Sequence, residues 1–196
     1  MYAFTTSCSV ALFFIIVFLF AVRKQLTGLL KDTSILPVDQ RSYSLSRTIL
    51  FFWTLIVFLS VCYIGIVSDN LPTIDSGVLI LMGIVVGTTT AGAAIDSTQS
   101  QDANIARVQD TNPSQGFLTD ILSDNNGISI SRFQTVVFNL IYGCSFLAIV
   151  ISQNVLYNFP TQTLALMGIS SGAYAILKIP ENKPATVNPP AADPGL

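Results

Sequence analysis

The chain contains no histidine, and only 10% of its residues are charged. Without histidine, the usual zinc constellations and the commonest general base near neutral pH are both missing. The three cysteines, Cys8, Cys62 and Cys144, fall inside apolar runs. There, thiols read as small buried hydrophobes rather than as a disulfide framework or metal site. No nucleophile elbow, phosphate-cradling glycine loop or basic nucleic-acid stretch is present. Catalysis would have to be assembled from Asp, Ser and Asn in short loops. The sequence therefore reads as non-enzymatic, with no cofactor, no metal and no nucleic-acid partner. Soluble domains carry about a quarter charged residues; this chain is 51% hydrophobic with a mean hydropathy of +0.63, the composition of an integral membrane protein.

What is present is a repeat, the feature that organises everything else. Under a shift of 85 residues, Ser44-Leu45-Ser46-Arg47 falls on Ser129-Ile130-Ser131-Arg132, and Leu81-Met82-Gly83-Ile84 with Gly87 falls on Leu166-Met167-Gly168-Ile169 with Gly172. Each copy is an apolar stretch, a short polar turn and a second apolar stretch, which is the pattern of a transmembrane helical hairpin.

Five apolar segments, each of about 20 residues, are long enough to cross a hydrocarbon core. Residues 1–22 read as an amino-terminal anchor: Arg23-Lys24 follows the apolar run, whereas a cleavable signal carries its positive charge before it. A polar connector spans 23–43, the first hairpin 44–96, a second connector 97–128, the second hairpin 129–181, and a Pro-rich tail 182–196. Helices are expected at about 46–67, 76–95, 131–152 and 161–177. Five crossings put all nine Lys and Arg residues on one side of the membrane, the cytoplasmic side by the positive-inside rule. The expected fold is thus an all-α integral membrane protein with five transmembrane helices, its N-terminus outside and its C-terminus cytoplasmic. It comprises two parallel two-helix repeats, related by a pseudo-two-fold axis along the membrane normal, plus the anchor.

Several residues stand out within this frame. Serine before a helix is a favoured N-cap, which accounts for Ser44 and Ser129. Arginine in a first turn opposes the helix dipole, so Arg47 and Arg132 need another partner, either lipid phosphate or an acid. The repeat register offers Asp96 and Glu181 at equivalent positions, giving an expected repeated pair, Arg47 with Asp96 and Arg132 with Glu181, either within each hairpin or exchanged between them. Gly83 with Gly87, and Gly168 with Gly172, place small residues on one helix face and allow close packing in lipid, against a helix of the same chain, a subunit interface, or as a gating point. Asn139 needs a partner, most simply on another helix. No Asp, Glu, Lys or Arg lies at mid-membrane, which argues against a coupled transporter. Thr88, Thr89 and Thr90 would line a pore in an oligomer, or simply bond back to their own helix carbonyls. In the second connector Phe117, Leu118, Ile121 and Leu122 share a face opposite Asp120, Ser123 and Asp124, as an interfacial helix or a loop turn would.

Ser44-Leu45-Ser46-Arg47 with Phe51-Phe52-Trp53, then 126–134, then Leu166–Gly172 closing on Lys178-Ile179-Pro180-Glu181, resembles a family of small bacterial multi-pass membrane proteins. The resemblance covers about 43–181 and implies a bacterial inner membrane, or a thylakoid in a cyanobacterium, with no catalytic residues. The function expected from the residues is a membrane scaffold or anchor subunit of an oligomeric assembly, in contact with lipid and with a second copy or a cytoplasmic protein partner. The alternative is a homo-oligomeric pore lined by hydroxyls.

Overall fold

The computed structural model describes residues 28–102, 105, 107–124 and 127–179, together with Thr6, Ser9, Leu12, Phe13 and 15–17. Most of the expected anchor helix, the last two residues of the expected second hairpin (Glu181 among them) and the whole tail lie outside the described residues. The fold is mainly helical. Two long helices, α1 (Leu45–Ser68) and α2 (Ser76–Ser100), form one hairpin. Two short helices follow, α3 (Val108–Thr111) and α4 (Phe117–Leu122), then a two-stranded antiparallel ribbon of β1 (Ser123–Asp124) and β2 (Gly127–Ile128). A second hairpin closes the chain, α5 (Ile130–Gln153) and α6 (Thr161–Leu177).

The helices α1, α2 and α5 are long and apolar enough to cross a membrane. Helix α6 has 17 residues, or about 26 Å at 1.5 Å per residue, near the lower limit for a span. α1 and α5 are both 24 residues long and begin 85 positions apart. Each ends in a non-glycine residue with positive φ, Asp69 at 53° and Asn154 at 56°, a conformation these short polar side chains tolerate. α2 and α6 also start 85 apart, at Ser76 and Thr161, but α2 runs eight residues further, 25 against 17.

The hairpins lie side by side. α1 packs on α2 and α5, while α6 packs on α2 and α5. Equivalent helices are therefore neighbours, whereas a two-fold axis through the bundle centre would set them on the diagonals. Indole Nε1 of Trp53 on α1 donates to Asn139 Oδ1 on α5 at 2.6 Å, the cross-helix partner expected for that amide. Asn139 Nδ2 donates to the Thr135 carbonyl at 2.7 Å, and the Thr135 hydroxyl meets Ser170 on α6 at 3.0 Å. This polar ladder ties three helices together inside an apolar core, where unpaired groups would be costly.

At one end the hairpin turns close the core. Phe159, from the turn after α5, is buried: it stacks on Phe146 at 5.6 Å and meets the edge of Trp53 at 5.8 Å. Gly77 makes room for it, since a Cβ there would stand 2.9 Å from the Phe159 nitrogen. The other end holds the starts of α1 and α5, the ends of α2 and α6, and both connectors.

Three expectations about packing need correction. An added Cβ at Gly83, Gly87 or Gly172 would meet nothing within 4 Å, and at Gly168 only the tip of Ile84 at 3.7 Å. Among the described residues, Gly83, Gly87 and Gly172 therefore mark no close approach between helices, while most of the expected anchor helix lies outside those residues. Close approach occurs at Gly143, where a Cβ would collide with the Phe52 ring. Cys62 is buried, but Cys144 is exposed on the outside of α5. Ser44 and Ser129 occupy the N-cap positions without making side-chain cap bonds; their hydroxyls face Ser46 and Ser131, at 3.4 and 3.1 Å.

These contacts set a contrast. Gly143→Val should destabilise the protein by about 1–3 kcal/mol, the usual cost of overpacking, whereas Gly83→Val should leave the melting temperature of the single chain unchanged. Thermal melts of both variants in detergent test this, and equal effects would refute the packing described.

Candidate functional site: the polar cap

Both connectors fold onto the end of the bundle and onto each other. Residues 28–43 turn back on themselves through an isolated antiparallel bridge between Lys31 and Tyr43. Lys31 Nζ donates to the Asp39 carbonyl at 2.7 Å and lies 5.0 Å from the centre of the Tyr43 ring. Three contacts stitch this segment to α3. Ser34 Oγ donates to the Gln109 carbonyl at 2.6 Å, the Ile35 amide donates to Asp110 at 3.0 Å, and buried Arg107 donates to the Thr33 carbonyl while pairing with Asp110 at 3.3 Å. Arg107 Nε is buried and has no hydrogen-bond partner among the described residues.

Asp120, on α4, is the hub of the second connector. Its carboxylate accepts from the Tyr43 amide at 3.0 Å, the Ser114 hydroxyl at 2.6 Å and the Gln115 amide at 2.9 Å. The expected apolar face of α4 divides: Ile121 is buried against Leu45 and Tyr174 with Leu122 beside it, Phe117 meets the Tyr43 ring edge-on at 5.2 Å, and Leu118 stays exposed.

Beneath the cap, Lys178 Nζ at the end of α6 donates to Asp96 Oδ2 near the end of α2 at 2.7 Å, with Asp32 of the first connector 3.6 Å away. Gln109 supplies a further bond to Asp96 at 2.9 Å, and Gln99 donates to the Ile179 carbonyl at 3.0 Å. A carboxylate at the negative end of a helix dipole is unfavourable alone; a lysine ammonium at the adjacent helix end offsets it. Burial opposes the lysine's charge, but Asp32, Tyr174 and Asp96 outweigh that and hold Lys178 above the ordinary lysine range.

The expected pairing of Arg47 with Asp96 is therefore replaced: Arg47 donates to the Thr33 hydroxyl at 3.0 Å, and Asp96 belongs to Lys178. Arg132 is buried, with its guanidinium 5.5 Å from the Tyr174 ring and a long 3.4 Å contact to the Asp120 carbonyl; Glu181, its expected partner, lies outside the described residues. Thr88, Thr89 and Thr90 donate to the carbonyls of Ile84, Val85 and Val86, and Thr89 also reaches Ser46 on α1. Gly83, Gly87, Gly168 and Gly172 lie on the helices away from the cap.

Between the connectors lies a half-open cavity of about 310 Å³. Lys178, Arg132, Asp32, Asp120 and Asp124 line its charged part, and its neutral polar lining includes Ser42, Gln109, Asn112, Gln115, Thr119 and Ser123. Among the described residues no cluster of His, Cys, Asp or Glu could hold a metal ion. Sequence reasoning missed Lys178, Arg107 and the β-ribbon. The Asn126-Gly127 dipeptide was the available signal for the ribbon, and Gly127 indeed has a φ of 103°.

The arrangement defines a helical protein, three of whose helices are long and apolar enough to cross a membrane, with a folded polar cap at one end of the bundle. In comparisons with protein-family models, curated proteins and solved structures, the chain matches none.

Breaking a buried pair by removing one partner costs about 3–5 kcal/mol, whereas replacing both is often near neutral. Asp96→Asn should therefore lower the melting temperature markedly, and Asp96→Leu combined with Lys178→Met should recover much of the loss. Because Lys178 is raised, its stabilising contribution is complete at neutral pH and is lost only as pH rises from its unfolded value, about 10.4, through the folded one. Melts between pH 7 and 11 should show an alkaline decline that Lys178→Met diminishes; an unchanged decline would remove Lys178 as its source.

Proposed function

We propose that the protein is a non-enzymatic membrane anchor or scaffold subunit of a larger assembly, and that the cap is the surface that holds its partner. One observation carries this reading: the folded polar structure is concentrated at one end of the bundle, where it presents Ile35, Leu118, Ile128 and Ile130 at 82%, 66%, 75% and 83% exposure. Exposed apolar side chains on a polar, internally bonded platform are characteristic of contact surfaces.

The proposed topology has five spans, namely α1, α2, α5, α6 and the run 1–22, arranged as two parallel two-helix repeats plus the anchor. The N-terminus is outside and the cap cytoplasmic, in a bacterial inner membrane or a thylakoid. Six of the nine basic residues, Lys31, Arg41, Arg47, Arg107, Arg132 and Lys178, belong to the cap or its rim, which supports a cytoplasmic cap. Assembly with a second copy through the uncovered Gly83 and Gly87 face is part of the proposal. The hydroxyl-lined pore receives less support, because Thr88, Thr89 and Thr90 already donate to their own helix.

A photo-crosslinking residue placed at Ile35, at Ile130 and, as a control, at Leu71 near the opposite turn tests the anchor in native membranes. A discrete adduct with a different protein from Ile35 and Ile130, absent from Leu71, is the expected result. Adducts with lipid alone at both cap positions would defeat the reading.

A further inference from the structure

The lining of the cap cavity falls into two classes. The charged groups are already engaged. Lys178 holds Asp96 at 2.7 Å and Asp32 at 3.6 Å, Asp120 accepts three donors, Arg132 lies against Tyr174, and Asp124 is engaged as well. Of the neutral polar groups, Gln109 bonds Asp96, but most of the others are not engaged. The hydroxyls of Ser42, Thr119 and Ser123 and the amides of Asn112 and Gln115 line the same cavity and make no side-chain hydrogen bond to the described residues.

This division selects the chemistry of a guest. An anion drawn to Lys178 or Arg132 meets the carboxylates of Asp32, Asp120 and Asp124; a cation drawn to those carboxylates meets Lys178 and Arg132. Like-charge juxtaposition is costly whichever sign the guest carries. A hydroxyl both donates and accepts, as the free amides and hydroxyls on the wall do, so a molecule bearing several hydroxyls satisfies them without introducing charge. A volume of about 310 Å³ is at the small end for ligand sites and suits one ring rather than an oligomer. Gly127 on the wall leads directly into Ile128 and Ile130, exposed by 75% and 83%, so apolar surface adjoins the polar cavity.

We propose that this cavity binds one uncharged polyhydroxyl molecule of about monosaccharide size, either free or as the headgroup of a glycolipid. Asn112, Gln115 and Thr119 are the contacting side chains, and the engaged charges around them hold the walls in place. The proposal is independent of the anchor reading, since a protein partner at Ile35 and Ile130 is neither required nor excluded by it.

The test uses the full chain in phosphatidylcholine nanodiscs. Glucose and galactose are titrated by calorimetry, and a monogalactosyl diacylglycerol, phosphatidylethanolamine and phosphatidylglycerol are compared as bound lipids by native mass spectrometry. The triple variant Asn112→Ala, Gln115→Ala, Thr119→Val alters exposed positions and should fold with an unchanged melting temperature. Ser42→Ala with Ser123→Ala is the second variant, and it carries the test should the triple variant melt early.

Saturable binding of a free sugar, weakened at least about tenfold in the variants by the loss of several hydrogen bonds, would establish the site with a free ligand. Selective retention of the glycolipid over both phospholipids, lost in the variants, would establish it with a headgroup. Neither sugar nor glycolipid bound, undiminished binding in folded variants, or preferential retention of a charged phospholipid would each overturn the proposal.

Discussion

The buried contact between Lys178 and Asp96 is where both hairpins and both connectors meet. Asp96 comes from the first hairpin and Lys178 from the second; Asp32 and Gln109 bring in the two connectors. Remove the lysine, and a carboxylate is left buried at the negative end of a helix, with Asp32 beside it. Such an arrangement cannot remain dry and charged. The geometry of the cap follows from satisfying this group. The connectors must fold down to deliver their side chains, and in doing so they wall off the cavity above.

The core is secured differently. At the opposite end no charged side chain is buried among the described residues, and Phe159 fills the volume by turning into the bundle against Trp53 and Phe146. Between the two ends, the indole of Trp53 and the amide of Asn139 fix α1 against α5. In an apolar interior a directional bond discriminates among helix rotations that dispersion alone leaves nearly equal. The side-by-side placement of the hairpins follows from this contact and from the contact of α2 with α6 that Lys178 and Asp96 secure.

Much of this was legible in the sequence and some was not, for identifiable reasons. Helix bounds were readable because apolar runs stop at polar turns: α6 was expected at 161–177 and is found there, and α1, expected from about 46 to 67, runs from Leu45 to Ser68. The need of Asn139 for a cross-helix partner followed from its chemistry alone. Which glycines pack closely did not, since a Gly-x-x-x-Gly spacing marks a face without saying whether that face meets a neighbour; Gly143, outside any such motif, is the one pressed by Phe52. The partner of Asp96 was misassigned because the repeat register drew attention to Arg47 and Glu181 rather than to Lys178. Equivalent helices turned out to be neighbours, so Asp96 of one copy meets Lys178 of the other, one helical turn before its own counterpart Glu181. The cap was least legible, because its bonds join residues such as Ser34 and Gln109 that lie 75 positions apart and no local pattern encodes them.

The distribution of buried charge sets the two ends of the molecule apart. Lys31, Asp96, Arg107, Arg132 and Lys178 are all buried, and all five belong to the cap or the helix ends beneath it. Buried ion pairs are poor sources of stability compared with well-packed apolar side chains, and this chain has apolar residues in abundance. A chain that needed only to stay in a membrane would gain by replacing these groups with leucine. What charged and hydrogen-bonded contacts add is directionality: Arg107 with Asp110, Asp120 with its three donors and Lys178 with Asp96 each admit a narrow range of geometries. The turn end is shaped by packing alone, whereas the cap is specified atom by atom. That investment in a defined polar shape, in a chain otherwise committed to apolar contact, is the physical argument for locating recognition at the cap.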